Sequence, residues 1–525
     1  MDMSGQDNSP KRGSKRKLSN KDGLELGKCF NKSSTLVGRE TSSSTTIECS
    51  VTNEDRPSKP VVPRELRDDY HYNKLYTKEL DFRLLGQHDP EFEAVLEHGS
   101  HLDFNNPKSV MQLTKTLLKR DFGLIVDLPT DRLCPPVPNR HNYILWLKEL
   151  LDSSSTPCLD SSEPARHVTG LDIGTGASLI YPLLGCVQRP SWSFVATDVD
   201  AKSLSYARKN LELNNLQARI RVVGRATTDC LIPLDELGLE TIDFTMVNPP
   251  FYTSEAELTG LAKQKSKPPN TACTGAPVEM VCAGGEIGFI KRMIDESLLL
   301  REKVQWYTCM LGKQSSLEVL VSALKGNGVT NYAITAFVQG NKTRRWAIGW
   351  SFGNRRPSLL ASRGCEPSAG KKILPEPTEV TVVMRPSSQV KPGQLEQTVC
   401  DTMEGLDLYS WSWSKKLSKG VGFVNGNVWS RAYRRKRGRG RGNLSPAVGD
   451  TAEDGPSSPR QKKPKQTAEQ DTTHSMFGFL LTIQALGDMN DKDQAVIVVR
   501  WLQGDDHAVF ESFTGFLRKA ILSSI

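Results

Sequence analysis

The stretch Val168-Thr169-Gly170-Leu171-Asp172-Ile173-Gly174-Thr175-Gly176 decides the fold. Val168, Thr169, Leu171 and Ile173 are apolar or β-branched, as in a strand buried within a parallel sheet. The two glycines that follow allow a tight turn and a close approach of backbone to a ligand at the carboxyl edge of such a sheet. Read alone, the pattern also fits an ordinary turn between a strand and a helix, so its meaning depends on what comes after. Further strands are expected at Ser193–Asp198, Arg219–Val223, Ile242–Val247 and Trp306–Leu311, with helices at Ala201–Asn214 and Glu286–Lys303 between them. This alternation implies an α/β fold, a parallel sheet covered on both faces. Tyr332–Val338 and Arg345–Phe352, separated by Gly340 and Asn341, read as a closing antiparallel hairpin.

Two more signals give the sheet a chemistry. Asp198 ends the second strand, where an acid can accept both hydroxyls of a ribose; the competing reading is a cap for the helix that begins near Ala201. The glycine pattern lacks the third glycine of a dinucleotide site, which favours S-adenosylmethionine over NAD. Asn248-Pro249-Pro250-Phe251 directly follows the strand Ile242–Val247. The proline pair stops the strand and stiffens the turn. That turn is expected to offer the Asn248 amide oxygen and the Pro249 carbonyl to the hydrogens of one exocyclic amino group, with Phe251 as a face for a base to stack on. An adenine amine is a poor nucleophile, because its lone pair is delocalised into the ring. Two acceptors that hold its hydrogens favour a geometry in which the lone pair points at a methyl donor. Catalysis is then positioning and electrostatics, without a metal.

These residues carry a resemblance. Asp172-Ile173-Gly174-Thr175-Gly176-Ala177-Ser178, Tyr181-Pro182-Leu183-Leu184-Gly185, Asn248-Pro249-Pro250-Phe251 and Met310-Leu311-Gly312-Lys313 resemble the methyltransferase-like protein 16 family of RNA adenine-N6 methyltransferases, which act on the spliceosomal U6 small nuclear RNA. Asp121-Phe122-Gly123-Leu124, Val137-Pro138-Asn139-Arg140-His141-Asn142-Tyr143 and Arg345-Trp346-Ala347 resemble it too. The similarity runs from about Tyr70 to Phe352 and continues more loosely beyond. It implies a Rossmann-like class I methyltransferase sheet with an N-terminal helical extension. It also implies a small C-terminal α+β domain of the kinase-associated-1 type that grips the internal stem-loop of U6 RNA. By that resemblance Arg140, Gly174, Asp198 and Asn248 contact S-adenosylmethionine or line its pocket, and Asp172, Gly176 and Thr228 complete the expected cofactor set. Asn248, Pro249, Pro250 and Phe251 form the expected catalytic turn. The family usually has Glu where Asp198 stands. Its Lys-Thr pair, whose lysine gates cofactor access, falls near Thr228 and Asp229, so gating is not carried over to this chain.

The flanks divide by composition. Residues 1–64 are rich in Ser, Thr, Lys and Asn and are expected to be a disordered basic tail, with Lys11, Arg12, Lys15, Arg16 and Lys17 as a nuclear-import signal or a weak RNA contact. Residues 65–164 form a helical module in which Val110, Leu113, Leu117 and Leu118 recur at helix spacing between an Asn106 cap and Gly123. Lys115, Lys119 and Arg120 on its polar side are candidate RNA contacts. The methyltransferase domain spans 165–353, and residues 354–372 read as a linker. The long connection after Phe251 holds Lys263, Lys265 and Lys267 and is expected to face substrate. Residues 373–525 form the C-terminal domain, interrupted at 433–473 by a low-complexity stretch opening with Arg434, Arg435, Lys436, Arg437, Arg439 and Arg441. Arginine among glycines, near Trp429 and Tyr433, favours RNA by charge and stacking.

The 525 residues leave room for about two to four domains. No run approaches the roughly 18 apolar residues of a membrane span, so no membrane partner is expected. The polar, basic N-terminus has no secretory stretch, which suggests the nucleus, with the cytoplasm as a second address. The 11 cysteines are odd in number and scattered, against a disulfide framework or a zinc ribbon. His98 and His101 have no third ligand nearby, so no metal is expected. The net charge of +8 is mild, and its placement matters more than its size.

The leading expectation is methyl transfer from S-adenosylmethionine to the N6 of an adenosine in structured RNA, and the resemblance implies a UACAGAGAA-type loop on a stem. U6 RNA and hairpins of methionine adenosyltransferase messenger RNA are the expected partners; nothing in the sequence indicates a protein partner. One alternative is methylation of a glutamine amide in a protein, a chemistry that also uses Asn-Pro-Pro-aromatic turns. The basic module and the Arg/Gly run argue against it. Another is an RNA-binding factor that promotes splicing or translation by occupancy, with turnover secondary.

Overall fold

The computed structural model describes residues 67–155, 166–257, 275–339, 343–365, 371–383, 392–435, 476–486 and 494–524. The tail at 1–64 and the basic residues Lys263, Lys265, Lys267, Lys436, Arg437, Arg439 and Arg441 lie outside them.

The described chain enters through three short helices, α1 (Asp69–Lys74), α2 (Phe82–His88) and α3 (Pro90–Glu93), and a ribbon of β1 (Leu96–Glu97) and β2 (His101–Leu102). Helix α4 (Pro107–Phe122) is cut where its sequence signals put it. The Asn106 side chain accepts the Lys108 N–H at 3.0 Å, and Gly123, at φ 63°, donates to the carbonyls of Leu118 and Lys119. Helix α5 (Val137–Ser153) behaves differently. Thirteen of its 17 residues are buried, so it is covered on nearly every side. It packs Tyr143 and Trp146 against Phe337 of the sheet, and its core is continuous with that of α4 and α6. The helical region drawn at 65–164 therefore shares its core with the sheet.

The central sheet holds eight strands: β3 (Val168–Ile173), β4 (Trp192–Asp198), β5 (Ile220–Gly224), β6 (Ile242–Val247), β7 (Val304–Leu311), β8 (Asn331–Gln339), β9 (Thr343–Ser351) and β10 (Arg363–Gly364). Their order is β10-β8-β9-β7-β6-β3-β4-β5. Strands β3 to β7 pair in parallel, and β9 runs antiparallel between β7 and β8. The chain steps outward through β4 and β5, then crosses back to β6 beside β3. That reversal opens a crevice between the carboxyl ends of β3 and β6. Helices α6 (Ile180–Gln188) and α7 (Ala201–Leu213) cover one face with α4 and α5, around Phe194, Phe244 and Trp306. Helix α8 (Pro277–Met280) lies beside the crevice. Helices α9 (Gly285–Leu300) and α10 (Gln314–Gly326) cover the other face, around Leu171, Tyr307 and Trp350.

A second, antiparallel sheet has the order β11-β15-β14-β13-β12, built from β11 (Glu379–Val383), β12 (Ser410–Ser414), β13 (Lys419–Val424), β14 (Phe477–Leu486) and β15 (Gln494–Gln503). The hairpin of β12 and β13 has no counterpart among the elements expected from the sequence. Two helices join it around Phe479, Phe510, Phe513 and Leu517, here numbered after the connecting helix α11 (Leu359–Ser362) as α12 (Pro392–Glu404) and α13 (His507–Ser524). Trp429 belongs to this core. It is 3% exposed and donates its indole N–H to the Ser512 hydroxyl, so it cannot stack on a base as its place beside the Arg/Gly run suggests.

The segment read as a linker at 354–372 is packed between Arg356 and Cys365, with Leu360 alone exposed there. Its serines and arginines are structural: Ser358 caps α11, and β10 pairs in parallel with β8. The Arg356 backbone N–H donates to Leu502 at 2.9 Å and its Nε to the Gly504 carbonyl at 2.8 Å, while its guanidinium lies 4.3 Å from the centre of the Trp501 ring. Ser358 donates its hydroxyl to Glu149 at 2.6 Å, and Arg500 donates to the Ser153 carbonyl. The second sheet is thereby docked on the first domain.

Candidate active site

A cavity of about 540 Å³ opens at the reversal between β3 and β6. Gly174, Gly176, Asp198, Asn248, Pro250 and Arg140 all line it. The glycine loop is held from behind. The N–H groups of Gly174 and Thr175 both donate to the Thr197 carbonyl at 2.9 Å, with Gly174 at φ 69° and Gly176 at φ 66°. What the loop offers a ligand is therefore close backbone approach, which side chains at those two positions would obstruct.

Asp198 closes the loop from β4. Its Oδ2 accepts the Gly176 N–H at 2.8 Å and its Oδ1 the Asp200 N–H at 2.9 Å. The helix-cap reading falls to Asp200, whose side chain accepts the Ser203 N–H at 2.8 Å and pairs with Arg132. Burial pushes the Asp198 carboxyl up, against the pull of the backbone N–H groups of Asp200 and Gly176.

Arg140 reaches the cavity from the first turn of α5, is 6% exposed, and donates to the Met310 sulfur at 3.2 Å. No salt bridge joins it to a carboxylate among the described residues. A buried guanidinium held in no salt bridge can pair with an incoming carboxylate.

The Asn-Pro-Pro-Phe turn leaves the carboxyl end of β6. The Asn248 Oδ1 is buried and accepts no hydrogen bond. An orphaned buried acceptor is costly, and an N–H brought by a ligand satisfies it. Pro249 is buried, and Phe251 does not line the cavity but lies against Gly312. The Arg345 guanidinium carbon is 5.8 Å from the Phe251 ring centre. Glu286 braces this side: it is 3% exposed and accepts the Gly312 N–H at 2.7 Å and the Ser316 hydroxyl at 2.5 Å.

Two expected cofactor contacts sit elsewhere. Thr228 is exposed and does not line the cavity; its neighbours Thr227 and Asp229 do. Asp172 lies behind the wall rather than in it, fully buried on β3 with neither oxygen accepting a hydrogen bond. Burial pushes its carboxyl up to about 7, opposed by the Thr175 hydroxyl and Arg140. Of the residues proposed for RNA, Lys115 is half-buried and Lys119 exposed. Arg120 grips Asp121 through two bonds of 2.6 and 2.9 Å, so much of its charge is already answered. Arg434 and Arg435 are exposed. Sequence reasoning passed over Glu279, Glu286 and Arg345 as individual site members. Glu286 had a local signal in Gly284-Gly285-Glu286 at a helix start; Glu279 had none.

Residues 64–354 match a family model described as RNA methyltransferase, and the chain belongs to that family. The U6 small nuclear RNA (adenine-(43)-N(6))-methyltransferase of Schizosaccharomyces pombe is 34% identical over 434 residues, covering 82% of this chain and 97% of its own. Among solved structures, the human Mettl16 catalytic domain in complex with MAT2A 3′UTR hairpin 1 is 41% identical, covers 52% of this chain and 92% of its own, and has a TM-score of 0.47. The N-terminal domain of human METTL16 in complex with SAH is 39% identical, covers 53% of this chain and 97% of its own, and has a TM-score of 0.44.

Proposed function

We propose that this RNA methyltransferase transfers a methyl group from S-adenosylmethionine to the N6 of an adenosine in a U6-type RNA hairpin. The observation that carries the reading is the buried, unpartnered Asn248 Oδ1 in a cavity also lined by Gly174, Gly176 and Asp198. The match to a U6 adenine-N6 methyltransferase over 82% of this chain supports the substrate. Hairpins of methionine adenosyltransferase messenger RNA are a second substrate class.

The cavity fits the cofactor: about 540 Å³ lies within the usual range for small-ligand sites, and Asp198 and Arg140 offer ends for a ribose and a carboxylate. When bound, the cofactor supplies an electrophilic methyl group. Asn248 holds the target amine through its hydrogens, so that its lone pair is free to face that group. Phe251 stacks on the base, and Glu286 fixes the Gly312 strand end against which Phe251 rests. The methylated amine sheds one proton to solvent, which completes the transfer.

The C-terminal sheet with its two helices is read as a kinase-associated-1-like RNA-binding domain, and the Arg434–Arg441 run as its basic extension. The basic cluster at Lys11–Lys17 supports a nuclear address.

The test is methylation of a U6-derived hairpin by the purified chain, with nucleoside mass spectrometry as the readout. N6-Methyladenosine is expected. Asn248→Ala should lower kcat by roughly 10²–10³, as for loss of a preorganised polar group. Modification of protein glutamine with no N6-methyladenosine in RNA would overturn the reading.

A further inference from the structure

A second carboxylate lines the cavity with Asp198. Glu279, on α8, lines the cavity with Gly176 and Leu133. Its Oε2 is committed: it accepts the N–H groups of Leu133 and Ala276, each at 2.9 Å. Its Oε1 accepts no hydrogen bond among the described residues and lies 3.9 Å from where a Cβ on Gly176 would stand. Gly176 is thus flanked by two acids. Burial raises the Glu279 carboxyl, Arg132 opposes that rise, and Asp198 adds to it.

The two acids are unequally free. Each Asp198 oxygen already takes a backbone N–H, from Gly176 and from Asp200. A ribose brings two hydroxyl donors to this place. One short acid with both oxygens engaged serves two donors poorly, whereas the Glu279 Oε1 is uncommitted.

We infer that Glu279 is a second acidic contact for the cofactor ribose, set opposite Asp198 across Gly176. The inference rests on the cofactor reading above. It has a structural corollary, because the segment that carries Glu279 is tied to the catalytic turn. The Tyr252 N–H donates to Met280 at 2.9 Å, and the Cys282 N–H donates back to Tyr252 at 3.0 Å. A ribose held by Glu279 is held by the segment that fixes the residue after Phe251.

The experiment is calorimetry of the full chain with S-adenosylhomocysteine and with its 2′-deoxy and 3′-deoxy derivatives. Binding of S-adenosylhomocysteine by the parent protein tests the cofactor reading separately; absence of binding there sinks that reading and this one together. With the parent binding, Glu279→Ala should lose about tenfold or more in affinity for S-adenosylhomocysteine, the scale of a hydrogen bond to a charged group. Removing one ribose hydroxyl should cost the parent protein a similar factor and the Glu279→Ala protein little. Glu279→Gln keeps an oxygen for Leu133 and Ala276, so it guards against a merely collapsed loop, and it should show an intermediate loss. Unchanged affinity in Glu279→Ala overturns the inference. So do deoxy penalties that persist undiminished in both variants, which would assign Glu279 to the homocysteine ammonium or to loop structure.

Discussion

Phe251 leaves no room for a side chain on Gly312: a Cβ there would stand 2.9 Å from the Phe251 ring. Gly312 does not have a positive φ, so the backbone itself would accept alanine. Gly312→Ala should therefore act by pushing Phe251 out of place, at a cost of about 10²-fold in kcat/KM for a hairpin. Affinity for S-adenosylhomocysteine should be unchanged. Single-turnover kinetics checks this, and a wild-type rate would mean that Phe251 is not the platform for the base.

Phe251→Ala removes the platform altogether. The loss of one stacked base should weaken hairpin binding by about 1–3 kcal/mol. Fluorescence anisotropy with a labelled hairpin, in the presence of S-adenosylhomocysteine, measures it. Equal affinity in the variant would move the base contact elsewhere.

Asp172 should make stability depend on pH. Burial raises its carboxyl to about 7 from an ordinary value of 3.8. The folded state then holds a proton that the unfolded chain releases, so this group's contribution falls as pH rises from about 4 to about 7 and levels off above. Asp172→Asn removes that dependence. Urea midpoints for variant and parent, followed from pH 5 to 8.5, should diverge in favour of the variant and then run parallel. Parallel curves throughout would place the carboxylate in a hydrated environment.

Arg356 should hold the two domains together. It is 5% exposed, donates to the Gly504 carbonyl and lies over Trp501. Arg356→Ala should weaken docking by about 2 kcal/mol or more, as a buried arginine anchor does. Small-angle scattering should report a broader particle, with turnover of a short hairpin retained. An unchanged profile would assign the docking to Arg500 and Ser358.

Neutralising Arg434, Arg435, Lys436, Arg437, Arg439 and Arg441 should flatten the salt dependence of binding to U6-length RNA. Each lost phosphate contact removes about 0.7–0.9 log units of affinity per log of salt. KM should rise and kcat at saturation should hold. An identical slope would make the run an import signal or a spacer.

The catalytic sheet was legible because its strands are local statements. Val168–Ile173 and Ile242–Val247 were read to the residue, since each is an apolar run cut by glycine or proline. Asn106 and Gly123 bounded α4 for the same reason. The misreadings concern partners far away in sequence. Trp429 beside arginines looks like a stacking residue until Phe477 and Phe513 are seen to enclose it. The serines and arginines of 354–365 look like a linker until Glu149, Leu502 and Gly504 are seen to receive them. Glu279 has no pattern around it; its position comes from Leu133 and Gly176, which only the fold brings near.

Helix α5 carries Arg140 into the cavity near its first turn and ends at Ser153, whose carbonyl receives Arg500 of the second sheet and whose hydroxyl receives the Ser358 N–H. These two duties lie about 20 Å apart along one rod at 1.5 Å per residue. Inserting or deleting a single residue between them would turn one end about 100° against the other. Either Arg140 would leave the cavity, or the second sheet would lose its seat. The length of this helix is therefore a shared gauge that couples the evolution of the two domains, even though neither domain's chemistry requires that length by itself.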